Sequence, residues 1–201
     1  MTPAPAFSVI GGFFLRILLF LVPTLMLWYW GRDWVAAAPA WLAGKTLHMF
    51  FPHWVVTVER EGPAHVLVTL LRVAMPDGRV GELTPEVRAL SYCYGSALLP
   101  ALLLASRATR LWWKIPLGLV LLVPFQAWGL SFAWLLQIAF QSGTSVAAQA
   151  GISAFGANLI GVAYQFGYLL MPALAPILIW FALDRTMVAT VLIEGALSGR
   201  Q

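Results

Sequence analysis

From Ile115 to Leu183 the chain carries no Asp, Glu, Lys, Arg or His, and most of its charges lie before that run. A soluble domain does not sustain so long an uncharged stretch, so the pattern predicts an integral membrane protein. A crossing needs roughly 20 apolar residues to span about 30 Å of hydrocarbon. Four segments approach that length: Phe7 to Trp30, Ala89 to Ser106, Ile115 to Leu136 and Ala154 to Leu183. The last is long enough to tilt or kink, and Pro172 and Pro176 supply a cause by withholding backbone donors. Gln141 to Ser153 is small and polar and reads as a loop.

Between the first two spans the period changes. Asp33 to Phe51 mixes tryptophans, small apolar residues, Lys45 and His48, a pattern that predicts an interfacial helix with its apolar side toward lipid, ending near Pro52. Trp54 to Val58 and His65 to Leu71 are rich in β-branched residues around the polar turn Glu59-Arg-Glu-Gly-Pro63, which predicts a β-hairpin. A third strand is expected near Gly78 to Leu83, with Pro76-Asp-Gly78 as its turn. The expected fold is therefore a polytopic α-helical membrane protein. It has about four transmembrane helices, with a small extracytoplasmic β-hairpin and an interfacial helix between the first two. Residues 1–30 form the first span, 31–88 the extracytoplasmic segment, 89–185 a three-helix membrane core and 186–201 a cytoplasmic tail.

Charge placement gives the orientation. Arg107, Arg110 and Lys114 sit without an acid in a short loop beside Trp112 and Trp113, and the positive-inside rule places that loop in the cytoplasm. Both termini are then cytoplasmic, and the segment from Gly31 to Arg88 faces outside. The small residues from Ala36 to Ala40 resemble a signal-peptide cleavage site, but Trp28-Tyr29-Trp30 and Trp34 crowd it, so the first span reads as a retained anchor. The formal charge is +4, yet no basic patch with interleaved aromatics exists, which argues against nucleic acid as a partner. Membrane lipids are the expected surroundings.

Candidate chemistry is sparse. The single cysteine, Cys93, is expected in the first turns of a helix at the outer surface, where a helix N-terminus favours a thiolate. His48, His53 and His65 share the outer segment with Arg72, Arg79 and Arg88. A Cys/His or Cys/Arg site is one reading; a cysteine packed as a small hydrophobe is the other. Gln126, Asn158, Tyr164 and Gln165 lie inside later spans, with Gln137 and Tyr168 nearer the ends. Amides in a bilayer need partners, so these residues are expected to face the bundle, either as helix-to-helix contacts or as a binding face. Arg16 is the one cation well inside an apolar span; it marks a functional position or snorkels to the headgroups. No metal-ligand spacing, P-loop or dinucleotide fingerprint appears, and no cofactor is expected.

The order of parts resembles the exosortase and archaeosortase family, membrane transpeptidases that process C-terminal sorting tails with a cysteine, an arginine and a histidine. The resemblance places the nucleophile at Cys93, within Ser91-Tyr-Cys-Tyr-Gly-Ser96. The family's arginine would fall in Gln126-Ala-Trp-Gly129 and its histidine near Tyr164 and Gln165, so both are missing. Without a cation for the oxyanion and a base for the thiol, the resemblance implies a non-catalytic relative, a pseudoenzyme.

Leu42 to Pro52, Leu121-Leu-Val-Pro-Phe-Gln-Ala-Trp-Gly129, Gln137-Ile-Ala-Phe-Gln141 and the segment Tyr164 to Pro176 resemble the exosortase H-associated membrane proteins. That resemblance implies an accessory protein in a bacterial inner membrane. It would bind an exosortase-family enzyme or its sorting-tail substrate, through Gln126, Tyr164, Gln165, Asn158 and Arg16 and through the hairpin. Two alternatives stay open from the residues: an active cysteine transpeptidase using Cys93, and a structural subunit of another membrane complex.

Overall fold

A computed structural model describes residues 6–74 and 79–185, with side chains from Gly11 onward. Helix dominates: α1 (Ala6–Trp30), α2 (Arg32–Phe50), α3 (Leu90–Cys93), α4 (Gly95–Ala105), α5 (Leu111–Leu136), α6 (Thr144–Gln149), α7 (Ala154–Gln165) and α8 (Met171–Leu183). Five short strands lie between α2 and α3: β1 (Val55–Glu61), β2 (Ala64–Thr69), β3 (Arg72–Ala74), β4 (Val80–Glu82) and β5 (Glu86–Val87). Among the described residues, three helical stretches are long and apolar enough to cross a membrane: Gly11–Trp30, Leu111–Gln141 and Ala154–Leu183. The fourth expected span is shorter, and it is interrupted at Tyr94 between α3 and α4. Leu90–Ala105 measures about 24 Å at 1.5 Å per residue, against roughly 30 Å of hydrocarbon.

The described residues divide into two compact units, one of residues 6–31, 94–122 and 173–185, the other of residues 32–74, 79–93 and 123–172. In the first, α1 packs on α4, and Phe13 stacks on Trp180 with ring centroids 5.3 Å apart. Pro23 withholds a donor within α1, and in the next residue Thr24 Oγ1 donates to the Phe20 carbonyl at 2.9 Å, which keeps that turn's polar groups off the lipid. Lys114 and Asp184, the charges that bound the uncharged run, are both buried. Ser106 Oγ donates to Asp184 Oδ2 at 2.5 Å and accepts from Trp180 Nε1 at 3.2 Å.

In the second unit, β1 and β2 form the expected hairpin, closed by Gly62 at φ +58° and Pro63. The strand order is β1-β2-β5, and β3 pairs with β4 in a separate ribbon. The third strand expected near Gly78 to Leu83 therefore exists as β4 but joins β3 rather than the hairpin, and β5 takes the third place. The turn expected at Pro76-Asp-Gly78 lies outside the described residues. Helix α2 spans the predicted stretch, but its small face goes inward: Ala36, Ala40, Ala43 and Gly44 are buried, while Trp34 and Trp41 are exposed. Gly44 is required there, since a Cβ would stand 2.6 Å from Val58 Cγ2.

The core of this unit gathers Trp134, Leu130, Leu67, Val55 and Leu47. Trp134 is wholly buried, and its indole N–H donates to the His65 carbonyl at 3.2 Å. The segment read as a loop contains α6, and Gln149 at its end meets the main chain of Arg72 with two 3.0 Å hydrogen bonds, accepting from its N–H and donating to its C=O. The expected kink near Pro172 takes the form of a π-helical turn at Phe166–Leu170. Pro172 has no N–H for the Tyr168 carbonyl, and the Met171 N–H reaches back five residues to the Phe166 carbonyl.

Candidate functional site

Two glycines build the most ordered polar feature of the second unit. A Cβ on Gly167 would lie 3.0 Å from Gly129 Cα, and one on Gly129 would lie 2.7 Å from Tyr92 Cδ1. The helices therefore touch backbone to backbone, as small residues permit in membranes, and Tyr92 seats over Gly129. Tyr164 and Tyr168, one turn apart on the helix, stack at 5.6 Å with an 8° interplanar angle. Tyr92 meets Tyr168 edge-on at 5.6 Å, and Tyr92, Tyr164 and Tyr168 line one cleft. Trp128 Nε1 donates to the Ala163 carbonyl at 3.2 Å and fixes α5 to α7. Beside the tyrosines opens a cleft of about 190 Å³, lined also by Arg88, Ser91, Gln137 and Gln141. Gln137 Nε2 donates to the Glu86 carbonyl at 2.8 Å, which ties the cleft's rim to β5.

The predicted polar residues separate into two sets. Gln126 is 5% exposed and shares one face of α5 with Gly129, Ala133 and Gln137, by helical spacing. Tyr164 is half-buried in the tyrosine cluster. Asn158 and Gln165, expected to face the bundle, are exposed. The buried stripe of this helix runs through Ile160, Ala163 and Gly167, and residues 158 and 165 fall off it. They fall instead on a second stripe, Phe155, Asn158, Val162 and Gln165, whose 3-4-3 spacing is that of a helix-packing seam and whose members are all exposed. Arg16 belongs to the other unit; its Nε donates to the Gly12 carbonyl at 3.1 Å, one turn toward the N-terminus.

Cys93 is not at a surface. It ends the short α3, in the first turn of the helical stretch Leu90–Ala105, and its exposure is 0%. His48 contributes Nδ1 to a 2.8 Å hydrogen bond with the Val55 carbonyl, and His53 is exposed. His65 is 7% exposed, and its buried Nδ1 has no hydrogen-bond partner among the described residues. Burial, followed by the nearby Arg60 guanidinium, holds its pKa below the ordinary 6.5. No group of three or more His, Cys, Asp or Glu is placed to hold a metal ion among the described residues.

The sequence reading did not find the tyrosine trio or the Ser106–Asp184 link. The four-residue spacing of Tyr164 and Tyr168 was a visible signal for the stack, whereas Tyr92 joins them only through tertiary packing. Compared with known proteins, residues 7–187 match the family model for the exosortase H-associated membrane protein. No curated protein and no solved structure matches the chain.

Proposed function

Because the chain belongs to the exosortase H-associated membrane protein family, we propose that it is a non-catalytic membrane companion that binds the sorting enzyme or its tail substrate. The burial of Cys93 carries the non-catalytic part: a thiol with 0% exposure presents no nucleophile to a substrate. The two places where the related transpeptidases hold an arginine and a histidine are occupied here by uncharged residues around Gln126 and Tyr164.

Docking rests on the exposed stripe Phe155, Asn158, Val162 and Gln165. In a helix apolar enough to cross the bilayer, exposed amides have no water to satisfy them, and a partner helix supplies what lipid cannot. The tyrosine cluster, with Gln126 behind it and the Gln137 cleft beside it, holds α7 in place and gives the partner a polar rim. Arg16 snorkels toward the cytoplasmic headgroups.

The chain sits in the bacterial inner membrane with four crossings and both termini cytoplasmic. Residues 1–30 are the first crossing, 31–88 the extracytoplasmic segment and 89–185 the membrane core, in which α3 and α4 make the shorter second crossing. Residues 186–201 form the cytoplasmic tail and lie beyond the described residues. Affinity purification of exosortase H from mild detergent tests the docking face. The wild-type chain is expected to co-purify, and an Asn158→Leu/Gln165→Leu variant is expected to be lost, each amide contributing about 0.6–2 kcal/mol. Undiminished recovery of the double variant would remove α7 from the interface.

A further inference from the structure

A cavity of about 600 Å³ lies within the second unit, walled by α2, α5, α7 and the turn before α7. That is within the range of ligand-binding cavities, about 300–1,000 Å³. Along α5 the wall is Pro124, Ala127, Trp128, Ser131, Phe132 and Leu135, one face of three helical turns. Those eleven steps of 1.5 Å make the cavity about 16 Å long. Its floor is sealed from outside: Ala127 is 4% and Ser131 6% exposed. Its mouth is open, with Phe50 and Leu159 exposed at the rim.

The depth of the cavity follows from the uncharged run. Lys114 is the last charge before it, and roughly 20 residues of helix cross the hydrocarbon, so the apolar layer extends along α5 to about Trp134 and its midplane falls near Pro124. The cavity therefore spans one leaflet, from the midplane to the side on which the charged sheet lies, since open strands do not enter lipid. Its length matches half of the roughly 30 Å of hydrocarbon. The wall offers an occupant no charge, because none of the lining residues is Asp, Glu, Lys, Arg or His. Polar groups there are spent on the protein. Thr46 Oγ1 donates to the Leu42 carbonyl at 2.8 Å, Ser153 Oγ accepts from the Gly156 N–H at 3.1 Å, and Trp128 Nε1 is held by the Ala163 carbonyl.

We propose that this cavity is a binding site for one acyl chain of a phospholipid, which runs from the headgroup level beside Leu135 to the midplane beside Pro124. An uncharged wall whose donors and acceptors are already paired recognises hydrocarbon and penalises any polar ligand. Shape selects the chain over a partner helix. Over about 16 Å an α-helix, 10–12 Å across, takes up about twice the cavity's volume, whereas a hydrocarbon chain about 4 Å thick at van der Waals contact fits inside it. The seated chain packs α2 against α5 and α7 and fills a void that would otherwise cost those walls their contacts. Gly156, Leu159 and Ile160 put the chain on a different side of α7 from the stripe Phe155, Asn158, Val162 and Gln165. The lipid site thus goes beyond the helix docking proposed above and does not depend on it.

The test reconstitutes the full chain in vesicles of phosphatidylethanolamine and phosphatidylglycerol, a fraction of the phosphatidylethanolamine carrying a diazirine in mid-chain, and maps photolabelled residues by mass spectrometry. Ala127 and Ser131, sealed from bulk lipid, are expected to label as strongly as Val162, which is 65% exposed. Two variants fill the cavity from facing walls. Gly156→Leu meets no crowding at its Cβ, whose nearest neighbours are Ser153 Oγ at 3.4 Å and Ile152 Cγ2 at 3.8 Å, and Thr46→Phe gives up only a hydrogen bond within its own helix. Each is expected to cut labelling of Ala127 and Ser131 by about tenfold or more and to leave Val162 labelling and the thermal unfolding midpoint as in the wild type, which shows that the fold is kept. Moving the diazirine to phosphatidylglycerol is expected to leave the pattern unchanged, because no charge lines the wall. Absence of labelling at Ala127 and Ser131, labelling that survives either filling variant, or labelling by one headgroup alone would each overturn the site. Loss of Ala127 and Ser131 labelling on adding exosortase H would assign the cavity to a helix of the enzyme and also overturns it; loss at Val162 alone reports the docking of α7 and leaves the lipid in place.

Discussion

Single residues carry the clearest departures from expectation. The position of Cys93 beside Gly95 and Ser96 invites a catalytic reading, yet the side chain is sealed, and of the two readings its residue type allowed, the small hydrophobe matches its burial. Sequence gives the order of neighbours along the chain but not what covers them, and coverage decides whether a thiol reacts. His65 shows the same limit: it was one of three histidines in an outer segment, and only the fold shows it under Trp134. Its folded pKa lies below 6.5, from burial first and Arg60 second. The unfolded chain then binds the proton more readily, so the stability His65 contributes is complete above 6.5 and declines as pH falls below it toward the folded value. Thermal unfolding followed across that window should show a loss that His65→Gln reduces; an identical pH slope in both proteins would exclude this residue as the source.

At the level of elements, the length of the apolar runs located the long helices and the β-branched runs located the hairpin within a few residues, because both are local properties of the chain. It misplaced partners. The strand at Val80–Glu82 was visible as a strand, but its pairing with β3 depends on contacts far along the chain. The uncharged segment at Thr144–Gln149 lacked a helical apolar stripe, and it folds as α6 with Gln149 bonded to the Arg72 main chain. Nor did period distinguish the two faces of α7, since Asn158 and Tyr164 both read as interior amide or phenol groups in an apolar run. The Gly129–Gly167 contact is the element-scale feature most open to direct challenge. A Cβ at Gly167 meets the Gly129 backbone at 3.0 Å, which cannot yield as a flexible side chain would. Gly167→Ala should therefore cost about 1–3 kcal/mol in denaturant unfolding of the purified protein, and a loss below a few tenths of that would show that the helices can separate at no cost.

Across the whole molecule, the uncharged run from Ile115 to Leu183 marks residence in a membrane. It makes most of two of the three crossing-length helices among the described residues. Its bounding charges, Lys114 and Asp184, are themselves buried, so the run ends in packed protein on both sides. On the docking proposed above, the exposed stripe Phe155, Asn158, Val162 and Gln165 of α7 is the surface that meets a partner. The central claim, that this chain assists sorting without performing the chemistry, meets its most direct test at Cys93. In cells lacking the chromosomal copy, sorting-tail processing is measured after complementation with the wild type and with Cys93→Ala. Equal processing by the two is the predicted result; loss of processing by a Cys93→Ala protein that still accumulates and still co-purifies with exosortase H would contradict it.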